Sequence, residues 1–206
     1  MLLILFCGFL QSVGASLTYR SPTPAVPLWN GSSQLPSPSP TLSLKHVTIG
    51  RGVQNYTCAE SGSIPVPVGA LASLFDVTGL AYRSQALVDA IPSYAVYLPT
   101  PDLTTRGFPR IGHHYFDSTG TPVFNLSLFQ QVFFGNKTAG IKAPSDASRG
   151  PENTGAVDWI QLKDKGGSIG CLEVYRVFTA GGSAPSSCKT PGVVTEDYSS
   201  EYWFYG

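Results

Sequence analysis

Near the C-terminus the chain reads Glu201-Tyr202-Trp203-Phe204-Tyr205, with aromatic side chains at four consecutive positions. Successive side chains of a strand point to opposite faces, so a strand here is apolar on both sides and needs a layer against each. Working back from it, strand-like content recurs at residues 193–205 in part, 172–179, 156–162, 132–134, 123–129, 112–117, 95–98, 66–75, 53–58 and 42–49. Clusters of Gly, Pro, Ser and Asn separate these runs at hairpin-like intervals. One short helix is expected over residues 84–91, with Ser84 as cap, Leu87, Ala90 and Ile91 sharing a face, and Pro92 as the stop. Residues 143–154 read as a polar surface loop, and no internal repeat is visible. The expectation is an all-β fold, an antiparallel sandwich or barrel with one short helix.

Composition agrees. Of 206 residues, 42% are hydrophobic, 12% aromatic and 13% charged, with 22 Gly and 17 Pro. The usual charged share is about a quarter. Thirteen basic residues balance thirteen acidic ones, so the formal net charge is zero. That excludes a basic nucleic-acid binder, a polybasic membrane-surface module and a highly charged disordered chain.

Residues 1–15 read as a secretory signal: Leu2 to Leu10 is too short to span a bilayer, and Val13-Gly14-Ala15 offers a small-residue cleavage site. No later stretch reads as a transmembrane helix, so no membrane partner is expected. Residues 16–40 carry Pro22, Pro24, Pro27, Pro36, Pro38 and Pro40 and read as an extended, mobile linker, with a single β-rich domain over 41–206. Sequons begin at Asn30, Asn55, Asn125 and Asn136, consistent with a secreted, N-glycosylated protein. Period-2 reading puts Phe124, Leu126 and Leu128 inward with Asn125 outward, and sets Asn55 opposite Tyr56 and Cys58. Removal of the signal takes Cys7 and leaves Cys58, Cys171 and Cys188. The outcome is one bridge and one free thiol, and spacing alone does not choose the pair.

The signatures of several enzyme classes are missing. There is no phosphate-binding Gly-x-x-x-x-Gly-Lys loop, no dinucleotide Gly-x-Gly-x-x-Gly opening a helix, and no Gly-x-Ser-x-Gly elbow. The sharpest local feature is Gly112-His113-His114-Tyr115-Phe116-Asp117. Imidazoles ligate zinc and copper and act as general bases near neutral pH. Adjacent strand residues face opposite ways, however, so His113 and His114 reach one ion only across a bulge, and His46 joins them only through the tertiary fold. A structural histidine is the favoured reading, and no cofactor is implied. Paired carboxylates for glycoside hydrolysis have Asp158, Glu173 and Glu201 as candidates, with Glu173 and Arg176 equally able to serve in structural ion pairs. The aromatic cluster Tyr198, Tyr202, Trp203, Phe204 and Tyr205 suits stacking on sugars, but aromatics on both faces more often mean core.

Several segments taken in order resemble one family. They are Gly50-Arg51-Gly52-Val53-Gln54-Asn55-Tyr56-Thr57-Cys58, the Gly112–Phe116 stretch, Gly155-Ala156-Val157-Asp158-Trp159-Ile160-Gln161-Leu162, Glu173-Val174-Tyr175-Arg176-Val177 with Thr179-Ala180-Gly181-Gly182, Cys188, and the C-terminal aromatic run. The series is similar to secreted fungal proteins, with bacterial relatives, built on a domain of unknown function and often labelled malate dehydrogenase. That label does not suit this chain, which lacks the dinucleotide fingerprint and the α/β pattern. Many members of the family carry a cysteine before the first strand and another near the position of Gly79, and this chain has neither. Bridges vanish as pairs, so the resemblance implies a Cys58–Cys188 disulfide with Cys171 unpaired.

The functional expectation is a secreted, glycosylated, non-enzymatic protein that binds a cell-wall glycan or a wall or host protein, outside the cell or in its wall. The alternative is a secreted hydrolase or metal-dependent enzyme that uses His113 or His114 with Asp117 or Glu173.

Overall fold

A computed structural model of the chain describes residues 22–100 and 102–206. The expected signal segment, Cys7 and the start of the Pro-rich segment lie outside the described residues. Eight strands form a closed antiparallel barrel in sequence order: β1 (Leu44–Cys58), β2 (Val66–Asp76), β3 (Arg110–Phe116), β4 (Pro122–Leu126), β5 (Gln131–Ile141), β6 (Trp159–Asp164), β7 (Glu173–Gly181) and β8 (Gly192–Tyr205). Closure comes from β1 and β8, paired from Leu44 against Tyr205 to Cys58 against Gly192. Of the two architectures expected, the barrel is the one formed.

Two of the expected strands are one. Gly50 and Gly52 do not interrupt β1; they make room. A side chain at Gly50 would collide with the ring of Tyr202, which lies across β1 inside the barrel. At the β4 end, Leu126 is buried but Leu128 is 73% exposed, because Ser127–Phe129 leaves the strand as a 3₁₀ turn and Gln130 takes a φ of 55°. The inward assignment of Leu128 is therefore corrected.

The helical content is also larger than expected. Between β2 and β3 lie α1 (Thr78–Arg83), α2 (Gln85–Ala95) and α3 (Asp102–Thr105). Pro92 does not stop α2 and is buried within it. Its missing N–H forfeits one helical bond, while Ala95 and Val96 just beyond, at 1% and 0% exposed, hold the helix end by packing. Residues 95–98 are thus the end of a helix and a turn, not a strand. Ser84 is the N-cap residue by position, but its side chain makes no capping bond.

Alternation along each strand divides the apolar side chains between two clusters. The barrel interior holds Ala70, Ala72, Leu74, Phe124, Leu126, Phe133, Leu162, Tyr198, Tyr202 and Phe204. The outer face of β1, β7 and β8 carries Val47, Ile49, Tyr175, Val177, Trp203 and Tyr205 against the helices. Residues 22–40 run largely extended on either side of a tight turn at Asn30–Ser33, where Trp29 bridges Gln34, yet they pack on this same face and do not stand clear of it. Leu35 is 1% exposed, Ser39 bonds Glu173 through both its hydroxyl and its amide, and Pro36 O accepts from the Tyr175 hydroxyl at 3.0 Å. Buried Arg51 ties the turn after α2 to the barrel, donating to Leu98 O at 3.0 Å and to Asp197 at 2.6 Å. Cys58 and Cys188 form the disulfide, joining the end of β1 to the segment before β8, and Cys171 is free and buried. No helix among the described residues is long and apolar enough to cross a membrane.

Candidate ligand site at the barrel mouth

Eight strands enclose a space that side chains can fill or that can admit one small ligand. Here the aromatics fill part of it and leave a cavity of about 390 Å³ opening beside the β3–β4 turn. Its floor is apolar or aromatic, from Phe116, Pro122, Phe124, Ile160, Leu162 and Tyr202. Its cations are Arg176, Lys137 and Lys165, and no carboxylate lines it. Arg176 is the inward-facing register partner of Tyr202. Its Nε and Nη2 donate to Asp158 O at 3.2 and 3.0 Å, and no carboxylate pairs with it among the described residues. Lys165 reaches the rim from the β6–β7 loop, donating to the Thr121 hydroxyl at 2.7 Å.

His114 belongs to this cavity and is 3% exposed. It stacks on Phe124 with ring centroids 4.1 Å apart, and Nδ1 donates to Val123 O at 2.9 Å. Burial, helped by the nearby Arg176 charge and only partly opposed by the Val123 bond, lowers its pKa to about 4. The ring is therefore neutral near pH 7, with Nε2 as an acceptor. Tyr202 and Tyr198 share a hydroxyl–hydroxyl bond of 3.1 Å in the interior beside it.

The remaining candidates are scattered. His113 is exposed on the opposite face, across from Asn125, as alternation requires. His46 bonds Gln131 at 2.9 Å and packs on Phe129. Asp117 organises the β3–β4 turn, accepting from the Thr119 and Thr121 amides at 2.8 and 2.9 Å. Glu173 faces the outer layer, where Ser39 and Lys163 hold its pKa below the ordinary range against the opposing pull of burial. The combination of a histidine with Asp117 or Glu173 is thus not assembled. Asp158 pairs with Lys142 at 3.1 Å, Glu201 is buried on the outer face, and no cluster of three or more metal-ligating side chains occurs among the described residues. The five C-terminal aromatics from Tyr198 to Tyr205 are all at most 7% exposed and form core. Of the sequon asparagines, Asn136 is exposed and lies on the cavity rim, while Asn30, Asn55 and Asn125 are half-buried.

Arg176, Lys137 and Lys165 had no signal as a group in the sequence. They come from β7, β5 and a loop, and only barrel closure brings them around one space.

Fold and site together define a closed eight-stranded antiparallel barrel with a cation-lined, aromatic-floored mouth. Residues 38–206 match DUF3455, a family described as protein of unknown function, and the chain belongs to that family. No curated protein and no solved structure matches the chain.

Proposed function

We propose that this is a secreted, N-glycosylated binding protein of the cell surface or surrounding medium, with the barrel mouth as its ligand site. The ligand class is a small organic anion with an apolar body, such as an aromatic carboxylate or an acidic sugar. Arg176 carries the reading: a guanidinium inside a barrel, without a carboxylate partner among the described residues, flanked by two lysines and an aromatic floor. Arginine suits carboxylate recognition through its planar donor fork. Barrel mouths are a recurrent place for such sites.

The alternative enzyme reading has less behind it. His114 is neutral and sits in the cavity, but no carboxylate orients it and its Nδ1 bond goes to a backbone carbonyl. The test is calorimetric titration of the secreted protein with cinnamate, benzoate and galacturonate, each beside its neutral amide. Arg176→Met is expected to weaken carboxylate binding by about 10- to 100-fold, the equivalent of one charge-assisted hydrogen bond. Equal affinity for acid and amide, or no binding at all, sinks the proposal.

A further inference from the structure

A second cavity, of about 190 Å³, lies outside the barrel between α2, the 144–148 loop and β7. Asp89, Ser93, Asp146, Ser148, Trp159 and Phe178 belong to its wall. Behind Asp89 stands Glu201, fully buried on the outer face of β8, and the two carboxyl groups lie close enough to perturb one another. Trp203 Nε1 donates to Glu201 Oε2 at 2.7 Å. No cation pairs with either acid among the described residues, and burial pushes the pKa of both upward.

Two polar atoms in this wall have nothing to bond, Trp159 Nε1 and Asp89 Oδ1. Trp159 is 1% exposed and its Nε1 has no partner. A buried donor left in that state costs about 1–3 kcal/mol, and such groups are uncommon in native proteins. The chain is also bent to build the wall. The register of β7 against β8 shifts between Val177 and Ala180, and Phe178 adopts a φ of 43°, which a bulky residue takes only under constraint. The bulge sets the Phe178 ring 5.1 Å from that of Trp159.

The orphan donor and the acids select a ligand chemistry. An ammonium group suits Asp89 and Asp146 but leaves the indole N–H unpaired. An anion suits the indole and is repelled by the acids. A hydroxyl does both, accepting from Trp159 and donating to Asp89. A bridging water has the same capacity, but its share of liquid volume is about 30 Å³, roughly a sixth of this 190 Å³ space. We propose that the cavity between α2 and β7 binds a neutral, polyhydroxylated ring of monosaccharide size, with Trp159 and Asp89 as its polar anchors. This site is independent of the barrel mouth.

The test is a titration of the ¹⁵N-labelled protein with glucose, mannose, galactose and N-acetylglucosamine, followed by NMR. The indole N–H signal of Trp159 is identified by its loss in Trp159→Phe. It is expected to move saturably with at least one of the sugars, with affinity lowered about tenfold in Asp89→Asn and unchanged in Arg176→Met. Should Trp159→Phe fail to fold, the signal is identified as the one that neither Trp29→Phe nor Trp203→Phe removes, and it is read in the unsubstituted protein. If it stays still with all four sugars at high millimolar concentration, the cavity holds water only and the proposal fails. A response abolished by Arg176→Met also overturns it, because binding would then belong to the mouth.

Discussion

The two faces of β8 live in different surroundings. Tyr198, Tyr202 and Phe204 point into the barrel, where most neighbours belong to strands, each paired with two others. Ser199, Glu201 and Trp203 point outward into a layer made of α2, the neighbouring strand faces and the extended segment 22–40. The interior is enclosed by mutually paired strands, whereas the outer layer is held mainly by side-chain packing and a few hydrogen bonds, such as Val77 N–H to Val47 O at 2.9 Å. The interior presents a cation without a carboxylate partner beside a neutral histidine, and the outer layer presents two neighbouring acids, Asp89 and Glu201, without a cation among the described residues. Curvature and closure constrain the inside, leaving chemistry only at its open end. The outer layer accepts irregularity, and the β7 bulge is where it does so.

The largest expected difference is mechanical. Phe204→Ala removes a fully buried ring from the interior, where the surrounding strands cannot collapse, and is expected to cost about 3–5 kcal/mol. Leu35→Ala removes a side chain of similar burial from the covering segment, which can move toward the gap, and is expected to cost about 2 kcal/mol. Urea unfolding of both variants measures the contrast. Equal losses would show that the segment is as rigidly held as the barrel.

The two regions also respond to pH with opposite signs. His114 has its pKa lowered from 6.5 to about 4, so its contribution is intact above pH 6.5 and is lost as pH falls through 4. The loss amounts to about 3 kcal/mol over that window. His114→Gln, which can still donate to Val123 O, is expected to remove this part of the acid sensitivity. Stability measured from pH 7 to 4 for both proteins should converge by that amount toward the acid end; parallel curves would show that the ring is not sealed from solvent.

Glu201 behaves in reverse. Burial and the neighbouring Asp89 raise its pKa well above the ordinary carboxylate value, and burial also raises that of Asp89. Groups with raised values stabilise the fold below the unfolded pKa, and that stability drains away as pH rises through the folded one. Glu201→Gln keeps an acceptor for Trp203 and cannot ionise. The stability advantage of the unsubstituted protein over this variant is expected to shrink as pH rises from the carboxylate range into the alkaline range. A constant difference would mean that Glu201 is already ionised in the folded protein across this range.

The contrast between the faces was partly legible in the chain. Aromatics at consecutive positions 202–205 required two layers, and both exist, one as the barrel interior and one as the outer cover. Separation of His113 from His114 followed from alternation alone. Helices α1 and α3 were missed because six- and four-residue segments carry too little periodicity to register. Glu201 was visible as a candidate acid, but not with Asp89, since a contact across 112 residues leaves no trace in spacing. The sequence leaves Arg176 equally able to serve in a structural ion pair, and among the described residues it has none. Its inward direction depends on the register of β7, which only closure fixes.

The smallest expected effects lie where the extended segment meets the barrel, at Glu173. Lys163 approaches this buried carboxylate at 3.3 Å, but its own side chain is 47% exposed. Screening by water limits such a pair to under about 1 kcal/mol, so Lys163→Met is expected to change stability little. Ser39 offers both its hydroxyl and its amide to the same carboxylate from within the packed layer. Ser39→Ala leaves Glu173 one donor short in a place water barely reaches, and is expected to cost about 1–2 kcal/mol. Denaturation of the two variants at neutral pH ranks the contacts. If Lys163→Met proves the costlier, the ion pair and not the covering segment keeps Glu173 charged. Residues 22–40 would then be a cover the barrel could shed without exposing an unpaired charge.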